Sequence, residues 1–369
     1  MAQLLPLPQD LIIWGEDVLA GAIADFPKHG IESPIVFSVD FLDAMRTSLI
    51  EPHISGGVGA FLNLPAHAPD TAIEESLEQI AASGARSIIA HGGGSVLDAA
   101  KAASYLHYER TGRYLPIAAL PTTLSGSEFS HYFGITETDG PVRFKRSYAV
   151  RQTVPTVVVL DPTLLLDTPA ELLLSSAIKG MDHAVEGMRT VETEHPHAIM
   201  AASGLNRFAS VLANWPAGRT ARQAIDEGAV SQRDLLSLQL AAWHCYFAPA
   251  SVIYGLSHRI GHILGGTFGV PHSVTSCITL APVIRACAAR YGEKLTIFGD
   301  GGNAAIGLAD RIEGLVRKLG LPDRIAPLGL DRSIIPDVLD LLVRSYPAEV
   351  ADLGEDAETK LEALLEALW

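Results

Sequence analysis

Short apolar runs alternate with amphipathic stretches along the first part of the chain. Segments such as Thr71–Ser83 and Leu97–His107 place apolar residues at helical spacing. Between such segments, runs rich in apolar and β-branched residues predict strands at Leu11–Trp14, Ile35–Ser38, Ser87–Ala90, Pro116–Leu120 and Thr156–Leu160. Repetition of strand, helix and strand is typical of a parallel sheet with helices on both faces. We therefore predict an N-terminal α/β domain with a Rossmann-like parallel sheet.

The pattern changes after Asp161-Pro162, where candidate strands become rare. Helical spacing predicts helices at Glu171–Glu192, His197–Asn214, Ser231–Ala248, Ser257–Leu264, Val274–Arg290 and Ala304–Leu319, and a charged helical tail from Arg332 to Trp369. We expect two domains, an α/β domain at residues 1–162 and an all-helical domain at residues 163–369. Ligands of such architectures usually lie in the crevice between the domains, beyond the carboxyl ends of the strands.

Composition and charge narrow the class of protein. Apolar residues make up 48% of the 369 residues and charged residues 19%, which is a globular composition that can bury a large core. The formal net charge of −15 at pH 7 argues against nucleic acid or an anionic membrane as the main partner, because both bind basic surfaces. A small anionic substrate remains compatible, since it needs only a local basic pocket.

Cysteine usage and the N-terminal residues indicate a reducing compartment. Cys245, Cys277 and Cys287 have no C-x-x-C spacing and are odd in number, so neither a disulfide framework nor a zinc knuckle is expected. Met1 to Asp10 lack the basic and apolar segments of a signal peptide. No run approaches the ~18 apolar residues of a membrane-spanning helix. The sequence thus predicts a cytoplasmic protein of the size of an enzyme.

A glycine-rich segment has the arrangement of a phosphate-binding turn. Residues 87–101 predict a strand, three glycines at Gly92–Gly94 and then a helix. Glycines let the backbone approach a pyrophosphate, and the first N–H groups of the helix can bind it. Ser95 and Asp98 resemble a capping box, which predicts that the helix begins at Ser95. The segment matches neither G-x-G-x-x-G nor the Walker A motif, and a purely structural turn explains the glycines alone equally well.

Two other predicted strand ends carry polar groups that suit a dinucleotide. Asp40 follows the second strand, where a carboxylate accepts hydrogen bonds from a ribose and repels a 2′-phosphate, which favours NAD over NADP. Thr122, Thr123 and Ser125 follow the fourth strand, and their hydroxyls can bind a phosphate, a ribose or a carboxamide. Each feature has an alternative explanation. Asp40 can be a solvated loop residue, and the hydroxyls can satisfy the amides of a turn.

The segment from Gly255 to His272 concentrates histidines. His258 and His262 lie four residues apart and share one helix face, and Gly265-Gly266 is expected to end that helix. Val270-Pro271 then places His272 in the first turn of the next helix, where the helix dipole disfavours a charged imidazole. A metalloprotease helix needs Glu after the first histidine, and Arg259 stands there instead. Any one of these histidines alone is more often a core residue, but three at this spacing favour a functional site.

Taken together, these motifs resemble the iron-type (group III) alcohol dehydrogenases. The resemblance covers residues 10 to 345. Its motifs, in family order, are the Gly-Gly-Gly-Ser turn with Asp98 and Lys101, Pro-Thr-Thr with Gly-Ser-Glu, Asp161-Pro162, His-Ala-Val-Glu, and the block with His258, His262 and His272. Two strings, Phe133–Glu137 and His262–Phe268 with Pro271-His272, are similar to maleylacetate reductases in particular. The implied fold is the architecture that this family shares with the dehydroquinate synthases.

The resemblance implies a nicotinamide-dependent oxidoreductase with a catalytic cleft between its domains. In metal-using members of the family, one Asp and three His bind Fe²⁺ or Zn²⁺, and the histidines correspond to His183, His258 and His272. His262 corresponds to a residue near the nicotinamide that relays protons. The expected cofactor contacts are Asp40, Gly93, Gly94, Ser95, Asp98, Thr122, Thr123, Ser125 and Lys145. We also expect a homodimer, active in the catabolism of aromatic compounds.

The sequence departs from the family pattern at the metal aspartate. That position, four residues before His183, is Lys179, and Asp182 is adjacent to His183 instead. Neighbours on a helix diverge by about 100°, so Asp182 and His183 do not readily face one ion, whereas Lys179 and His183 share a face. We expect no bound metal and infer that Lys179 supplies the positive charge that polarises a substrate carbonyl. Maleylacetate reductases also lack this aspartate, and the resemblance implies that they generally need no metal.

The hypothesis with most support is hydride transfer between NAD(P)H and a carbonyl or alcohol carbon of a small substrate. The residues expected at the reacting oxygen are Lys179, His183, His258, His262 and His272. A carboxylated enone or keto acid such as maleylacetate is the first candidate substrate. The basic stretch Arg143–Arg146 with Arg151 can attract its carboxylates or can be a solvated loop. Two alternatives remain open: a metal-dependent dehydrogenase of a neutral alcohol, and a lyase or synthase that uses NAD transiently.

Overall fold

The computed structural model describes residues 3–65, 68–138, 144–299 and 303–369, without the side chains of residues 144 and 145. Eight strands lie within these ranges: β1 Leu11–Trp14, β2 Pro34–Phe37, β3 Gly59–Phe61, β4 Ser87–Gly92, β5 Ile117–Pro121, β6 Tyr132–Glu137, β7 Phe144–Ala149 and β8 Val157–Leu160. All five strands predicted from the sequence are present, with bounds shifted by no more than two residues.

Six of the strands form one parallel sheet in the order β1-β8-β5-β4-β2-β3. The central strands β4, β5 and β8 are buried along their whole length. A strand buried on both faces needs an unbroken apolar run rather than an alternating one, and the run Val157–Leu160 has this character. Pairing of Gly92 with Pro121 aligns the carboxyl ends of β4 and β5. The predicted parallel sheet is therefore confirmed.

Fifteen α-helices lie within the described ranges. They are α1 Leu19–Asp25, α2 Asp43–Met45, α3 Asp70–Ser83, α4 Gly94–Thr111, α5 Ala170–Gly187, α6 Pro196–Leu212, α7 Ala221–Asp226, α8 Gln232–Cys245, α9 Leu256–Gly266, α10 His272–Ala286, α11 Ala288–Tyr291, α12 Ala304–Lys318, α13 Ile335–Ser345, α14 Pro347–Val350 and α15 Ala357–Ala367. None of the helices in the described part of the chain is both long enough and apolar enough to cross a lipid bilayer.

The chain forms two compact units. The α/β unit comprises Leu5–Leu173 and Arg219–Leu240. The single boundary expected at residue 162 thus differs from the observed division, in which residues 163–173 and 219–240 lie with the sheet. Specific contacts hold these segments there. The amide of Gln239 donates to the Asp161 carbonyl at 3.0 Å, and Arg222 pairs with Asp167 at 2.6 Å.

The helical unit comprises Met1–Leu4, Leu174–Gly218 and Ala241–Trp369. Its described residues form helices and turns, with no strand among them. Helix α10 packs against both α9 and α12, and ten of its fifteen residues are buried. The three cysteines are buried and form no disulfide bond, namely Cys245, Cys277 and Cys287. A helix that is buried nearly all round is expected at the centre of a helical core.

A two-stranded antiparallel hairpin, formed by β6 and β7, was not predicted as strands. Tyr132 pairs with Ala149 at one end, and Glu137 pairs with Phe144 at the other. The ring of Phe133 stacks on Tyr148 at 5.2 Å between centroids, a cross-strand aromatic pair that stabilises such a hairpin. Phe133–Glu137 was identified from the sequence only by its similarity to maleylacetate reductases. Strand β3 was also missed, because three residues carry too little pattern.

Candidate active site

The glycine turn joins β4 to α4 in the α/β unit. Strand β4 ends at Gly92, and α4 begins at Gly94 with Gly93 as its N-cap residue in an extended conformation. The predicted capping box is therefore wrong: α4 begins before Ser95, and no side chain caps it. The carboxylate of Asp98 accepts instead from the backbone N–H of Gly134 at 3.2 Å and from the Ser127 hydroxyl at 3.4 Å. These contacts draw Asp98 away from the helix terminus.

The glycine turn packs tightly against the hydroxyl-rich segment after β5. The backbone N–H of Thr122 donates to the Gly92 carbonyl at 3.1 Å. A Cβ atom on Gly93 would lie 2.7 Å from Cγ2 of Thr123, and one on Gly94 would lie 3.6 Å from Oγ of Ser125. Non-bonded carbon atoms do not approach to 2.7 Å without a shift of one of them, so this close approach requires glycine at position 93.

Two hydroxyls beside this turn are buried without a partner among the described residues. They are Oγ1 of Thr122 and Oγ of Ser125. A buried polar atom without a hydrogen bond costs about 1–3 kcal/mol, so such atoms are rare and indicate an absent ligand or water. The first N–H groups of a helix are likewise without helical partners and attract anions. The cradle of backbone, glycine and free hydroxyls fits the pyrophosphate and sugar groups of a dinucleotide.

A buried ionic cluster, missed in the sequence, supports this cradle. Lys101 is fully buried, and its ammonium donates to the carbonyls of Ser127 at 2.6 Å and Tyr132 at 3.1 Å and to the Ser127 hydroxyl at 3.1 Å. Burial lowers the pKa of Lys101 to about 8 although the charges of Asp98 and Glu128 oppose the shift. Burial raises the pKa of Glu128 to about 7, against the opposing effects of its own backbone N–H and of Lys101. The sequence motifs include Lys101 and Glu128, but the role of these residues is visible only from their contacts in the structure.

The strand end with Asp40 lies at the same carboxyl edge of the sheet. Asp40 is exposed and opens a short 3₁₀ turn after β2. Ser38 hydrogen-bonds His91 Nδ1 at 3.1 Å, which links the end of β2 to the residue before the glycine turn. Burial, with a smaller effect of the Arg46 charge, lowers the pKa of His91 to about 3. The imidazole of His91 is therefore neutral, and this link is independent of pH in the physiological range.

The basic stretch near β7 is partly outside the described residues. Arg143 and the side chain of Lys145 belong to the segment that the structure does not describe. Arg146 is exposed and pairs with Glu137 at 2.6 Å, and Arg151 donates to the Pro6 carbonyl. Both arginines thus have partners within the α/β unit. The predicted contact of Lys145 with a cofactor stays a prediction.

In the helical unit, Lys179 and Asp182 form a buried ion pair on α5. The ammonium of Lys179 lies 3.0 Å from Oδ2 of Asp182, and both side chains are almost inaccessible to water. Among the described residues, Asp182 is the one hydrogen-bond partner of Lys179, and an ammonium has three N–H donors. Burial favours a high pKa for Asp182, but the charges of His258 and Lys179 and hydrogen bonds from His258 and Ser276 hold the pKa well below its usual range. Asp182 is therefore an ionised counter-ion.

His183 lies one helical turn after Lys179, as the spacing predicted. Its imidazole stacks on the ring of Tyr246 at 3.8 Å between centroids and lies 4.9 Å from the ring of His258. Burial lowers the pKa of His183 far below its ordinary value, and the charges of His258 and Lys179 add to the effect. Its Nδ1 is buried without a hydrogen-bond partner among the described residues. His183 is thus a neutral ring with a free nitrogen.

His258 and Glu186 lie together at the start of α9. His258 Nδ1 is 3.1 Å from Oε2 of Glu186 and 3.3 Å from Oδ2 of Asp182. The carboxylate of Glu186 is fully buried and also accepts the backbone N–H groups of Ser257 and His258. Tyr254 stacks on the His258 ring at 4.5 Å between centroids. Glu186 was absent from the predicted site residues, although the His-Ala-Val-Glu string contains it.

His262 and His272 form a second pair of imidazoles. Their ring centroids lie 5.5 Å apart. Helix α9 ends at Gly266, and α10 begins at His272, as predicted. A Cβ atom on Gly265 would lie 3.7 Å from Nδ1 of His272, an ordinary van der Waals distance, so this ring packs against the end of α9. The structure therefore groups the predicted histidines as two pairs, His183 with His258 and His262 with His272.

Three of the residues around His258 have the spacing of a metal site. Ligand atoms of Asp182, Glu186 and His258 lie within 4.8 Å of one another, and all three residues are buried. The resemblance had implied His183, His258 and His272 as ligands in metal-using members. Two carboxylates and one imidazole are hard and borderline donors that suit divalent cations in general. The ammonium of Lys179, however, already lies against the Asp182 carboxylate.

Comparison with known proteins identifies the class. The family model described as iron-containing alcohol dehydrogenase matches residues 10–162, and that of the C-terminal part of the Fe-containing alcohol dehydrogenase family matches residues 218–349. The chain therefore belongs to the iron-containing alcohol dehydrogenase family and is an NAD(P)-dependent oxidoreductase. A curated relative, the maleylacetate reductase of Pseudomonas aeruginosa, is 31% identical over 94% of this chain and 92% of its own length.

Solved structures agree with this family on the fold. The maleylacetate reductase from Rhizobium sp. strain MTP-10005 has a TM-score of 0.79 and 23% identity, and covers 100% of this chain and 98% of its own. A sulfoacetaldehyde reductase from Bifidobacterium kashiwanohense, solved in complex with NAD⁺, has a TM-score of 0.80 and 21% identity with the same coverage. The predicted fold class and the resemblance to iron-type alcohol dehydrogenases are both confirmed.

Proposed function

We propose that this protein is an NADH-dependent reductase of a small carboxylated enone or keto acid of the maleylacetate type, which acts without a metal ion. The observation that carries the proposal is the buried Lys179. One of the three N–H donors of the Lys179 ammonium binds Asp182. The other two donors have no hydrogen-bond partner among the described residues. A fixed positive charge in a dry site stabilises the negative oxygen that develops on the substrate during hydride transfer. The similarity to maleylacetate reductases supports this substrate class.

The α/β unit supplies the proposed cofactor site. NAD(H), when bound, provides the hydride. We assign the pyrophosphate to Gly93, Gly94 and Ser95, and the sugar or carboxamide groups to Thr122, Thr123 and Ser125, because the two buried orphan hydroxyls need partners. Asp98 supports the turn through Gly134 and Ser127. The NAD⁺ complex of a structural neighbour supports the cofactor class.

We further propose that NAD is preferred to NADP. The support is the exposed carboxylate of Asp40 at the end of β2, which is free to accept ribose hydroxyls and would repel a 2′-phosphate. Replacement of Asp40 by Ala is expected to raise the affinity for NADPH and lower that for NADH. Fluorescence titration of both reduced cofactors measures this change, and an unchanged preference in D40A would contradict it.

The imidazoles of the helical unit surround the proposed reacting oxygen. His183 is held neutral by burial and by nearby charges, so it can donate or accept a hydrogen bond without carrying charge. His258 shares the Asp182 carboxylate with Lys179. We assign proton delivery to His262, paired with His272, since these rings do not share that carboxylate. Lys179, His183 and His258 then stabilise the oxygen.

The proposed absence of a metal requirement is supported by the charge of Lys179. A divalent ion on Asp182, Glu186 and His258 would lie next to the Lys179 ammonium, which is 3.0 Å from the Asp182 oxygen. Like charges at such separations in a buried site repel strongly. Those residues therefore do not fit the ion that the family name implies. The alternative is a metal-dependent dehydrogenase of a neutral alcohol, for which the spacing of the same three ligands is the one supporting observation.

The test is NADH oxidation by the purified enzyme against maleylacetate, other keto acids, aldehydes and neutral ketones, before and after treatment with a chelator. We expect turnover with maleylacetate or a related carboxylated substrate, and equal rates after chelation. Elemental analysis of the same sample accompanies the assay. Stoichiometric iron or zinc that activity requires, or turnover of neutral substrates alone, would overturn the proposal in favour of the metal-dependent alternative.

A further inference from the structure

Glu186 has an unusual position for a carboxylate. It lies in the last turn of α5, is fully buried, and reaches the N-terminus of a different helix, α9. Its Oε1 accepts the backbone N–H of Ser257 at 3.0 Å, and its Oε2 accepts the backbone N–H of His258 at 2.9 Å. No side chain of α9 itself caps that terminus. Glu186 thus satisfies helix N–H groups that would otherwise be buried without partners.

The backbone around Glu186 is built to admit the carboxylate. The N-cap residue of α9 is Gly255, and a Cβ atom there would lie 2.8 Å from Oε1 of Glu186. Any larger residue would displace the carboxylate from the helix start. The hydroxyl of Tyr291 approaches the same Oε1 from another side at 3.4 Å. The contacts of Glu186 therefore come from two other helices of the helical unit, α9 and α11.

The same carboxylate fixes the ring of His258. His258 Nδ1 lies 3.1 Å from Oε2 of Glu186 and 3.3 Å from Oδ2 of Asp182. Ionised carboxylates only accept hydrogen bonds, so Nδ1 must carry the hydrogen. The ring nitrogen left for other partners is Nε2, which is buried and has no hydrogen-bond partner among the described residues. The two carboxylates differ in their remaining contacts. Asp182 also binds Lys179 and Ser276, whereas Glu186 binds the start of α9 and Tyr291.

We infer that Glu186 is a positioning residue: it holds the first turn of α9 and the Nδ1–H of His258, and so presents Nε2 of His258 to the substrate. This inference rests on the proposed function for the identity of the reaction. Groups that orient an imidazole from behind commonly matter for rate although they touch no substrate. The role predicts an effect on turnover that passes through His258 and leaves cofactor binding in the α/β unit unchanged.

The decisive variant is Glu186→Gln, which keeps the shape but replaces one carboxylate oxygen by an NH2 group, so that the side chain can no longer accept from both Ser257 and His258. We expect kcat to fall by about 10²-fold, with the Kd for NADH within twofold of wild type. Tyr291→Phe is the matched control: it removes the other contact of the same carboxylate, leaves His258 untouched, and is expected to keep wild-type kcat. Should E186Q not fold, E186D tests the same point, since it keeps the charge but retracts it from Nδ1.

A double-mutant cycle separates positioning from general stability. In a His258→Gln background, E186Q is expected to reduce kcat no further, because the ring on which it acts is gone. Losses that multiply, or an E186Q enzyme with normal kcat, would overturn the inference. NMR of ¹⁵N-histidine-labelled enzyme, assigned with H258Q, gives a readout that needs no turnover: a His258 Nδ1 without hydrogen would also overturn it. A wild-type enzyme inactive on every substrate refutes the proposed function instead.

Discussion

The α/β unit and the helical unit differ in the buried polar groups that are left with free hydrogen-bonding capacity among the described residues. Near the glycine turn, the buried atoms without a partner among the described residues include the neutral hydroxyls of Thr122 and Ser125. In the helical unit, the buried groups are the charged Lys179 and Asp182 with imidazoles around them. Neutral hydroxyls and backbone N–H groups suit a cofactor that must bind and leave without a proton change. Fixed charges suit stabilisation of a charge that develops during reaction.

Two buried lysines, one in each unit, illustrate this difference. All three N–H donors of Lys101 have partners, namely the carbonyl and hydroxyl of Ser127 in the loop after β5 and the carbonyl of Tyr132 in β6. Lys179 is as deeply buried but, within the described residues, bonds only Asp182. A lysine with every donor used can only hold structure, whereas a lysine with donors to spare can bind a substrate oxygen. Substitution at each position tests this contrast.

The largest effect on kcat/KM is expected for the substitution Lys179→Met. It removes the proposed stabilising charge, and we expect kcat/KM to fall by about 10²–10³-fold. NADH binding, measured by fluorescence titration, should be unchanged, because the cofactor residues lie in the α/β unit. Steady-state kinetics and thermal unfolding are measured together, since Asp182 loses its partner. A K179M enzyme with near wild-type kcat/KM would remove Lys179 from the reaction.

Lys101→Met is expected to act on stability rather than on chemistry. Removal of one partner from a buried charged cluster costs about 3 kcal/mol, at the low end of the usual range because Glu128 can take up a proton. Urea unfolding measures the loss. At saturating NADH, kcat should remain within a few-fold of wild type. If K101M instead abolishes turnover without a loss of stability, the contrast between the two lysines fails.

Gly93→Ala tests the close approach in the cofactor cradle. The new Cβ would meet Cγ2 of Thr123 at 2.7 Å, and relief of such overpacking is expected to weaken NADH binding about 10-fold. Thr123→Ser removes Cγ2 and should restore much of the affinity in the double variant. Isothermal titration of NADH with the two single variants and the double variant decides the matter. Equal affinities of G93A and wild type would show that the turn does not contact the cofactor.

The last prediction concerns Glu128 and pH. Burial, opposed by its own backbone N–H and by Lys101, raises the pKa of Glu128 to about 7 in the folded chain, so the folded state binds a proton that the unfolded state releases above about 4.5. Its contribution to stability is therefore full below pH 4.5 and falls as pH rises to 7, by at most about 1.4 kcal/mol per pH unit.

Glu128→Gln removes this dependence. The free energy of unfolding of wild type, minus that of E128Q, should decrease steadily between pH 5 and pH 7 in urea titrations, because all other groups titrate in both proteins. A difference that stays constant across this range would mean that Glu128 keeps an ordinary pKa. Binding of NADH to E128Q at pH 5 shows whether the cradle itself is preserved.

The sequence could predict the α/β unit well because its information is local. Apolar runs such as Val157–Leu160 define buried strands, and parallel strands end at one edge of the sheet. That geometry brings the turn at Gly93 next to Thr123 without any knowledge of distant contacts. The predicted capping box was wrong because it considered only local contacts. The Asp98 side chain instead accepts from the backbone N–H of Gly134, 36 residues away.

The helical unit was less predictable because helical spacing shows that a face is buried and not what covers it. The spacing placed Lys179 and His183 on one face of α5. It could not show that Glu186, in the same helix, caps α9 seventy-one residues further along. It likewise could not assign 219–240 to the α/β unit, which depends on contacts such as that of Gln239 with Asp161.

The return of Arg219–Leu240 to the α/β unit has a consequence for biosynthesis. A ribosome delivers the chain from its N-terminus, so the sheet and its first helices emerge well before the segment that completes their packing. Until Leu235, which is fully buried in the finished protein, has left the exit tunnel, the apolar surface that receives it stays exposed to solvent or to a chaperone. Translation stalled between residues 173 and 219 should therefore yield a nascent chain that is sensitive to protease.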